Sequence, residues 1–465
     1  MAGIEEERQR DRSPSYDSLF GDEETPIDAS LVPPPWLEDD PTCGLAWVKD
    51  GLGLYPTWRF EPTIESIVAT LKIAIGFNQE YDVQFLHEGT FSKLYDVSFG
   101  NQAFVMRVSL PVHPHAKTEA EVATLDWVRQ HTHLPVPRVT AYDSSRNNPL
   151  GFEWILMTKI EGKPLSERWW SVTPGSKERV VKEIAAFSAS TFGQPFRGGI
   201  GSIYKAVSDA GSRAFVRKRA GDGRRTRGPF GETCDWMKGR LRLASSDLES
   251  RLADVAEEDG KETLQRMLDI TGRIERLMPK FIPSFTSPQA RCTNEKEVEL
   301  DNAEKTPVST MLCHDGLSLD NILVNDDGIL AGVVDWQCIS CLPLHDSCQF
   351  PAFLQHANDR FAEPVGKYYL AHEDDGPHPA YFRDRKRYEM TRLRRLYIEE
   401  MMDRAPGFVD VWRNETSANL RDYEAAVQNC DNEFAIRPVE EWVEAMEHGR
   451  DPTRVVKRLH ERLAG

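Results

Sequence analysis

Residues 313–324 read CHDGLSLDNILV, and eleven residues later an apolar run closes on the pair Asp335-Trp336. Between the two lies NDDG, a turn-forming tetrad flanked by NILV and ILAGVV. Two apolar runs joined by such a tetrad predict a β-hairpin. A hairpin brings its ends together, so the Asn321 amide and the Asp335 carboxylate converge on one point. Both offer hard oxygen donors, the kind Mg²⁺ takes. Phosphoryl transfer needs such an ion site, a cation for the phosphates and a carboxylate to receive the acceptor proton, because the protein's share of that chemistry is positioning and charge neutralisation. Without an ion, Asn321 caps a turn and Asp335 ends a strand.

The elements that must hold these residues follow from periodicity. TIESIVATLKIAIGF (63–77) places Ile64, Ile67, Leu71 and Ile75 at helical spacing. YDVQFLHEG and KLYDVSFGNQAFVMRVSL alternate apolar and polar residues, with FGNQ as a hairpin turn. TEAEVATLDWVRQH (118–131) reads as a helix, LPVPRV as an extended connector and FEWILMTKI (152–160) as a strand broken by EGKPL. A small lobe of sheet and helix therefore ends in a hinge near residue 160. Beyond it the pattern is mainly helical. Val180, Ile184, Phe187 and Thr191 form one stripe; Leu264, Met267, Leu268, Ile274 and Leu277 form another, which Pro279 is expected to stop.

A chain of 465 residues exceeds what one core serves, so two lobes are expected. A net charge of −17 opposes nucleic-acid binding. The first residues carry no apolar run, and no stretch is apolar for long enough to span a membrane. Eight cysteines in 465 residues fit a reducing, cytoplasmic setting better than a disulfide framework. Residues 1–30 read as a disordered acidic tail and 31–62 as a connector stiffened by VPPPW (32–36).

Taken together, RVSLPV (107–112), KTEAEVAT (117–124), RGPF (227–230) and SLDNILV (318–324) resemble the aminoglycoside phosphotransferase family, a branch of the protein-kinase-like fold, in its divergent fungal-type members. The resemblance covers about residues 70–360. It implies a two-lobed α/β fold, with a β-sheet N-lobe over 63–160 and a helical C-lobe over 161–465 carrying the loop and hairpin of 312–337. It also implies an ATP- and Mg²⁺-dependent phosphotransferase acting on a small hydroxylated molecule. Asn321 and Asp335 would then be the metal ligands. His314 would support the loop. Gly89 would sit at the nucleotide-covering hairpin, and Arg107 would be the phosphate-binding cation where kinases usually carry Lys. Glu121 would pair with Arg107, and backbone groups around Thr158 and Ile160 would meet adenine.

The family motif has Asp five residues before Asn321, and here that position is Gly316. The acid sits one place earlier, at Asp315. Glycine offers no proton acceptor, and adjacent side chains in a loop usually diverge. The alternative is accordingly a pseudoenzyme, a nucleotide- or partner-binding scaffold. Three further features carry less. Cys338, Cys341, His345 and Cys348 have zinc-like spacing but are read as core. The basic run at 213–227 is read as a solvated insertion, and Trp169-Trp170 as packing.

Overall fold

The computed structural model describes residues 37–50, 53–197, 199–206, 213–216, 229–255, 257–282, 308–355, 359–366, 378–450 and 457–463. The N-terminal tail, the acidic loop at 292–305 and most of the basic run at 213–227 lie outside the described residues. The chain divides into two compact units. One holds the residues through Asp126 together with Pro137–Ile160; the other holds Trp127–Val136 and everything from Glu161 on.

The first unit runs β1 (Leu45–Asp50), β2 (Gly53–Trp58), α1 (Ile64–Ala74), β3 (Asp82–Gly89), β4 (Ser92–Phe99), β5 (Gln102–Ser109), α2 (Ala116–His131), β6 (Val139–Asp143) and β7 (Glu153–Thr158). The division between units falls within α2, after Asp126. Five strands form an antiparallel sheet in the order β3-β4-β5-β7-β6. The alternation read from sequence is what buries its core: Tyr95 and Val97 from β4, Phe104, Met106 and Val108 from β5, and Trp154 and Leu156 from β7. The turn of FGNQ pairs Phe99 with Gln102, and Gly100 adopts a φ of 59°, which a residue lacking Cβ takes without strain. Thr63 caps α1 through a capping box with Ser66. Ile67 and Leu71 are buried there, whereas Ile64 is exposed, so the apolar stripe is narrower than its spacing suggests.

The stretch 31–62 is not a plain connector. Its second half forms the antiparallel pair β1–β2, with Trp47 opposite Pro56 and Val48 opposite Tyr55. Prolines upstream set the reading of this segment, while LAWVKD and GLYPTW carry the β-branched and aromatic residues of strands.

The second unit contains β8 (Lys163–Pro164), α3 (Leu165–Arg168), α4 (Pro174–Phe192), β9 (Ile203–Ala206), β10 (Arg213–Val216), α5 (Thr233–Asp254), α6 (Glu258–Phe281), β11 (Thr310–Cys313), β12 (Ile322–Val324), β13 (Leu330–Val333), β14 (Ser340–Pro343), α7 (Leu344–Ser347), α8 (Ala352–Gln355), α9 (Pro379–Arg404), α10 (Pro406–Arg413), α11 (Glu415–Asn429), α12 (Ile436–Glu447) and α13 (Leu459–Leu463). All four α4 stripe residues are buried. In α6, Leu264, Met267, Ile274 and Leu277 are buried, but Pro279 does not stop the helix, which runs on to Phe281. A proline in the last turn forfeits one backbone hydrogen bond, and the packing of the apolar face outweighs that loss. Two small sheets carry the motif: β13-β12-β8, and the pair β11-β14. No described helix is long and apolar enough to cross a membrane.

Candidate active site

The hairpin expected from NDDG is present. Ile322 pairs with Val333 and Leu323 with Gly332, and Pro164 of β8 pairs with Leu323 from the other side. Asn325 builds the turn: its Oδ1 accepts the N–H groups of Asp327 and Ile329 at 3.1 and 2.9 Å. Gly328, with a φ of 71°, completes it. At the open end Val334 donates its N–H to the Asn321 carbonyl at 3.0 Å, one residue from Asp335. Asp335 adopts the left-handed conformation, φ 62°, which costs a non-glycine residue roughly 1–3 kcal/mol and clusters at functional positions. Trp336 anchors this bend, fully buried and with its indole Nε1 donating to the Val333 carbonyl at 2.9 Å.

Asn321 Nδ2 donates to the Gly316 carbonyl at 2.8 Å, which leaves Oδ1 as the amide's acceptor face. That oxygen and the Asp335 carboxylate are hard donors of the kind Mg²⁺ takes, an ion that usually binds one or two carboxylates and fills its other positions with water and phosphate. The donor chemistry thus fits the ion. Among the described residues no cluster of three or more His, Cys, Asp or Glu side chains forms a protein-only cage.

His314 is buried against Trp336, ring centroids 4.7 Å apart, and its Nε2 lies 3.3 Å from the Val334 carbonyl. A carbonyl can only accept, so Nε2 carries the proton. Burial lowers the pKa of this imidazole, which makes it a neutral brace between loop and hairpin. Asp315 is exposed, and its Oδ1 accepts the N–H of its own neighbour Gly316 at 3.0 Å. Gly316 is exposed as well. A Cβ built there would find His314 Cε1 at 4.0 Å as its nearest neighbour, so the position has open space.

Asp315 and His314 line a cavity of about 210 Å³, and Gly316 does not. Asp346, Gln349, Tyr397 and Gln428 line the same cavity. Burial raises the carboxyl of Glu424, on α11, to a pKa of about 8. Burial likewise holds Asp346 well above the carboxylate range. Sequence reasoning missed Glu424 altogether. ETSANLRDYEAAVQN reads as a charged surface helix, yet Arg421, Asp422 and Glu424 are all buried.

Within the first unit, Gly89 ends β3 opposite Ser92, and the tip between them is tied down: the Phe91 carbonyl accepts the Leu110 N–H at 2.9 Å and the Lys117 ammonium at 3.1 Å. Arg107 and Glu121 form a salt bridge, and both are buried rather than on the surface. At the expected hinge, the N–H of Thr158 is taken by the Arg138 carbonyl and that of Lys159 by the Ala103 carbonyl. Ile160 is the last residue of this unit.

The cysteine cluster is split. Cys341 is buried in β14 and Cys348 behind α7, whereas Cys338 is exposed with a φ of 60°. His345 faces Glu424 at 3.5 Å. Of the two tryptophans, Trp169 is buried under Lys177 and Trp170 is half-exposed.

The profile of the phosphotransferase enzyme family matches residues 82–346, more than half of the chain. Among curated proteins, the subtelomeric hrmA-associated cluster protein of Aspergillus fumigatus is 37% identical over 131 residues, 27% of this chain and 26% of that one. Altered inheritance of mitochondria protein 9, mitochondrial, of Saccharomyces cerevisiae is 24% identical over 360 residues, 66% of this chain and 57% of that one. The chain thus spans between about a quarter and somewhat over half of these relatives. Among solved structures, ADP-bound aminoglycoside phosphotransferase APH(2'')-Ib aligns at a TM-score of 0.44 and 12% identity, covering 86% of this chain and 97% of that one. Aminoglycoside phosphotransferase APH(4)-Ia aligns at 0.41 and 14%, covering 83% and 99%. With the family profile spanning loop, hairpin and sheet alike, the chain belongs to the phosphotransferase enzyme family.

Proposed function

We propose that this chain is an ATP- and Mg²⁺-dependent phosphotransferase acting on a hydroxyl of a small molecule. The observation that carries the reading is the closure of the β12–β13 hairpin, with Asn321 and Asp335 at its open end and Asp335 held in a strained backbone conformation. Those two residues would hold the ion. When bound, Mg²⁺ neutralises phosphate charge as it moves to the acceptor. Arg107, directed by Glu121, is the cation for the nucleotide phosphates, and its planar fork replaces the point charge of a lysine. His314 braces the loop. Asp315 is the carboxylate offered to the acceptor proton, because it lines the cavity that Gly316 does not reach. At about 210 Å³ that cavity is below the ~300–1,000 Å³ of drug-sized sites, which favours a small acceptor. The net charge of −17 favours neither nucleic acid nor an anionic membrane as partner. The cysteine usage favours the cytoplasm.

A second reading rests on the open space at Gly316: a nucleotide-binding scaffold without a working base. Thermal denaturation with ATP, with Mg²⁺ and with both tests what the readings share. A ligand that binds only the folded chain raises its stability. The melting temperature is expected to rise when ATP and Mg²⁺ are present together. No change at millimolar nucleotide overturns both readings. Turnover of ATP against a panel of amino alcohols and sugars then separates enzyme from scaffold.

A further inference from the structure

The β3–β4 hairpin of the first unit has a tip of two residues. Gly89 of β3 pairs with Ser92 of β4, which leaves Thr90 and Phe91 to make the turn. A turn that short has no slack, so whatever fixes Phe91 fixes Gly89 as well. Phe91 is fixed twice: its carbonyl accepts the Leu110 N–H at 2.9 Å and the Lys117 ammonium at 3.1 Å. The same ammonium lies 5.8 Å from the centroid of the Phe91 ring, within cation–π range. Lys117 is 6% exposed. Burying an ammonium is costly unless it is bonded, so this lysine is held where the carbonyl it reaches lies. The helix that carries it is itself anchored. Lys117 stands in the first turn of α2, and the His115 N–H just before that turn donates to the Glu153 carboxylate at 2.6 Å. Glu153 is buried at the head of β7. Ser92, Ser109 and Glu153 are successive partners across β4, β5 and β7, so the tip, Leu110 and the start of α2 share one end of the sheet.

We propose that Lys117 is a positioning residue: it straps the Thr90–Phe91 tip to the start of α2 and so holds the hairpin in the shape that covers the nucleotide phosphates. The inference rests on the reading of this hairpin as the nucleotide cover, and it adds a residue that the transfer chemistry above leaves out. Leu110 lies just past β5, the sheet neighbour of β4, so its bond ties the tip to its own sheet and not to the helix. Lys117 supplies the tie across to α2. One turn further along α2, Glu121 directs Arg107, which faces Leu94 of β4 across the β4–β5 ladder. Two side chains four residues apart therefore set the phosphate cation and its cover from one helix. Without the strap the tip samples open shapes, and the apparent affinity for nucleotide falls by the fraction of time that the competent shape is populated.

Hydrogen exchange of the full chain tests the strap without nucleotide, and titration with ATP and Mg²⁺ tests what the strap is for. In Lys117→Met the Leu110 amide, which the Phe91 carbonyl accepts, is expected to exchange faster, while the amides of Ile155 and Leu156 in β7 keep their wild-type rates. The Kd for ATP is expected to rise about tenfold, the value for a tip that is competent about a tenth of the time. Lys117→Arg keeps a cationic donor at this place and should recover most of both. Lys117→Leu serves should Lys117→Met fail to fold. An unchanged Leu110 rate overturns the strap. Faster exchange at Leu110 with an unchanged Kd overturns the positioning role, as does exchange in β7 that rises in step with Leu110, the mark of a sheet loosened as a whole. Where the wild type itself binds no ATP with Mg²⁺, the proposed function falls and the positioning role with it, whereas the exchange rates still decide whether the strap exists.

Discussion

Asn321 and Asp335 owe their positions to backbone pairing, whereas Gly316, five residues upstream of Asn321, and its neighbour Asp315 are set by their own turn and by the one hydrogen bond from the Asn321 amide to the Gly316 carbonyl. On the first side, β12 is flanked by β8 and β13, Asn325 closes the turn twice, and Trp336 is fully buried. On the second, both residues are exposed, and the carboxylate of Asp315 leans on its own neighbour. One loop therefore joins a backbone-paired end, the proposed ion site, to a more loosely held end that carries the proposed base. On the proposed function, nucleotide binding and phosphoryl transfer would be separable in this chain.

The sharpest way to break that separation is Gly316→Asp. General-base catalysis is typically worth about 10²–10⁴-fold, so on the scaffold reading ATP turnover should rise by that order while nucleotide affinity barely changes, and on the reading in which Asp315 already serves it should not rise. A loss of nucleotide affinity in this variant would show that the two ends are coupled. Asp315→Asn is its companion: it removes existing turnover if Asp315 is the working carboxylate.

In the first unit, Arg107→Ala should cost roughly 3–5 kcal/mol in denaturant unfolding, because it strands Glu121 as a buried charge. A loss below about 1 kcal/mol would mean that the pair behaves like a surface bridge. Asp335→Ala should remove the Mg²⁺-dependent part of the nucleotide shift, about 2.7 kcal/mol at a hundredfold excess over Kd. It should leave the NMR signals of His314 near their wild-type positions if the ends are independent.

Glu424 gives a pH signature. Its folded pKa of about 8 lies above the usual 4.5, so the folded state holds the proton that the unfolded state releases. Its contribution to stability is complete below pH 4.5 and is lost as the pH rises through about 8. The difference between wild type and Glu424→Gln should follow that window, with a slope of up to about 1.4 kcal/mol per pH unit. A flat difference would deny the buried proton. The smallest effect expected is that of Gly328→Ala, about 1–2 kcal/mol, for a side chain forced into the left-handed region with Val172 Cγ1 only 3.0 Å from its Cβ. It should weaken the Mg²⁺ response and spare the His314 signals.

What could be read from sequence follows the range of the forces involved. The NDDG hairpin, the FGNQ turn and the α4 stripe depend on neighbours in the chain, so residue order reveals them. The β1–β2 pair was hidden by the prolines before it. The burial of Glu424 was hidden for a deeper reason. Nothing local in α11 marks Glu424 as buried; only the fold, seating α11 against α7 and α6, turns a polar helix inward. The departure at 316 was legible from spacing alone, but whether a side chain would fit there was a question for three dimensions.

The open space around Gly316 also bears on history and reversal. Here no atom has moved closer than 4.0 Å to where the Cβ would stand. Every glycine codon becomes an aspartate or a glutamate codon by one base change, so an acid at this position lies one mutational step away, and the place of its Cβ is open.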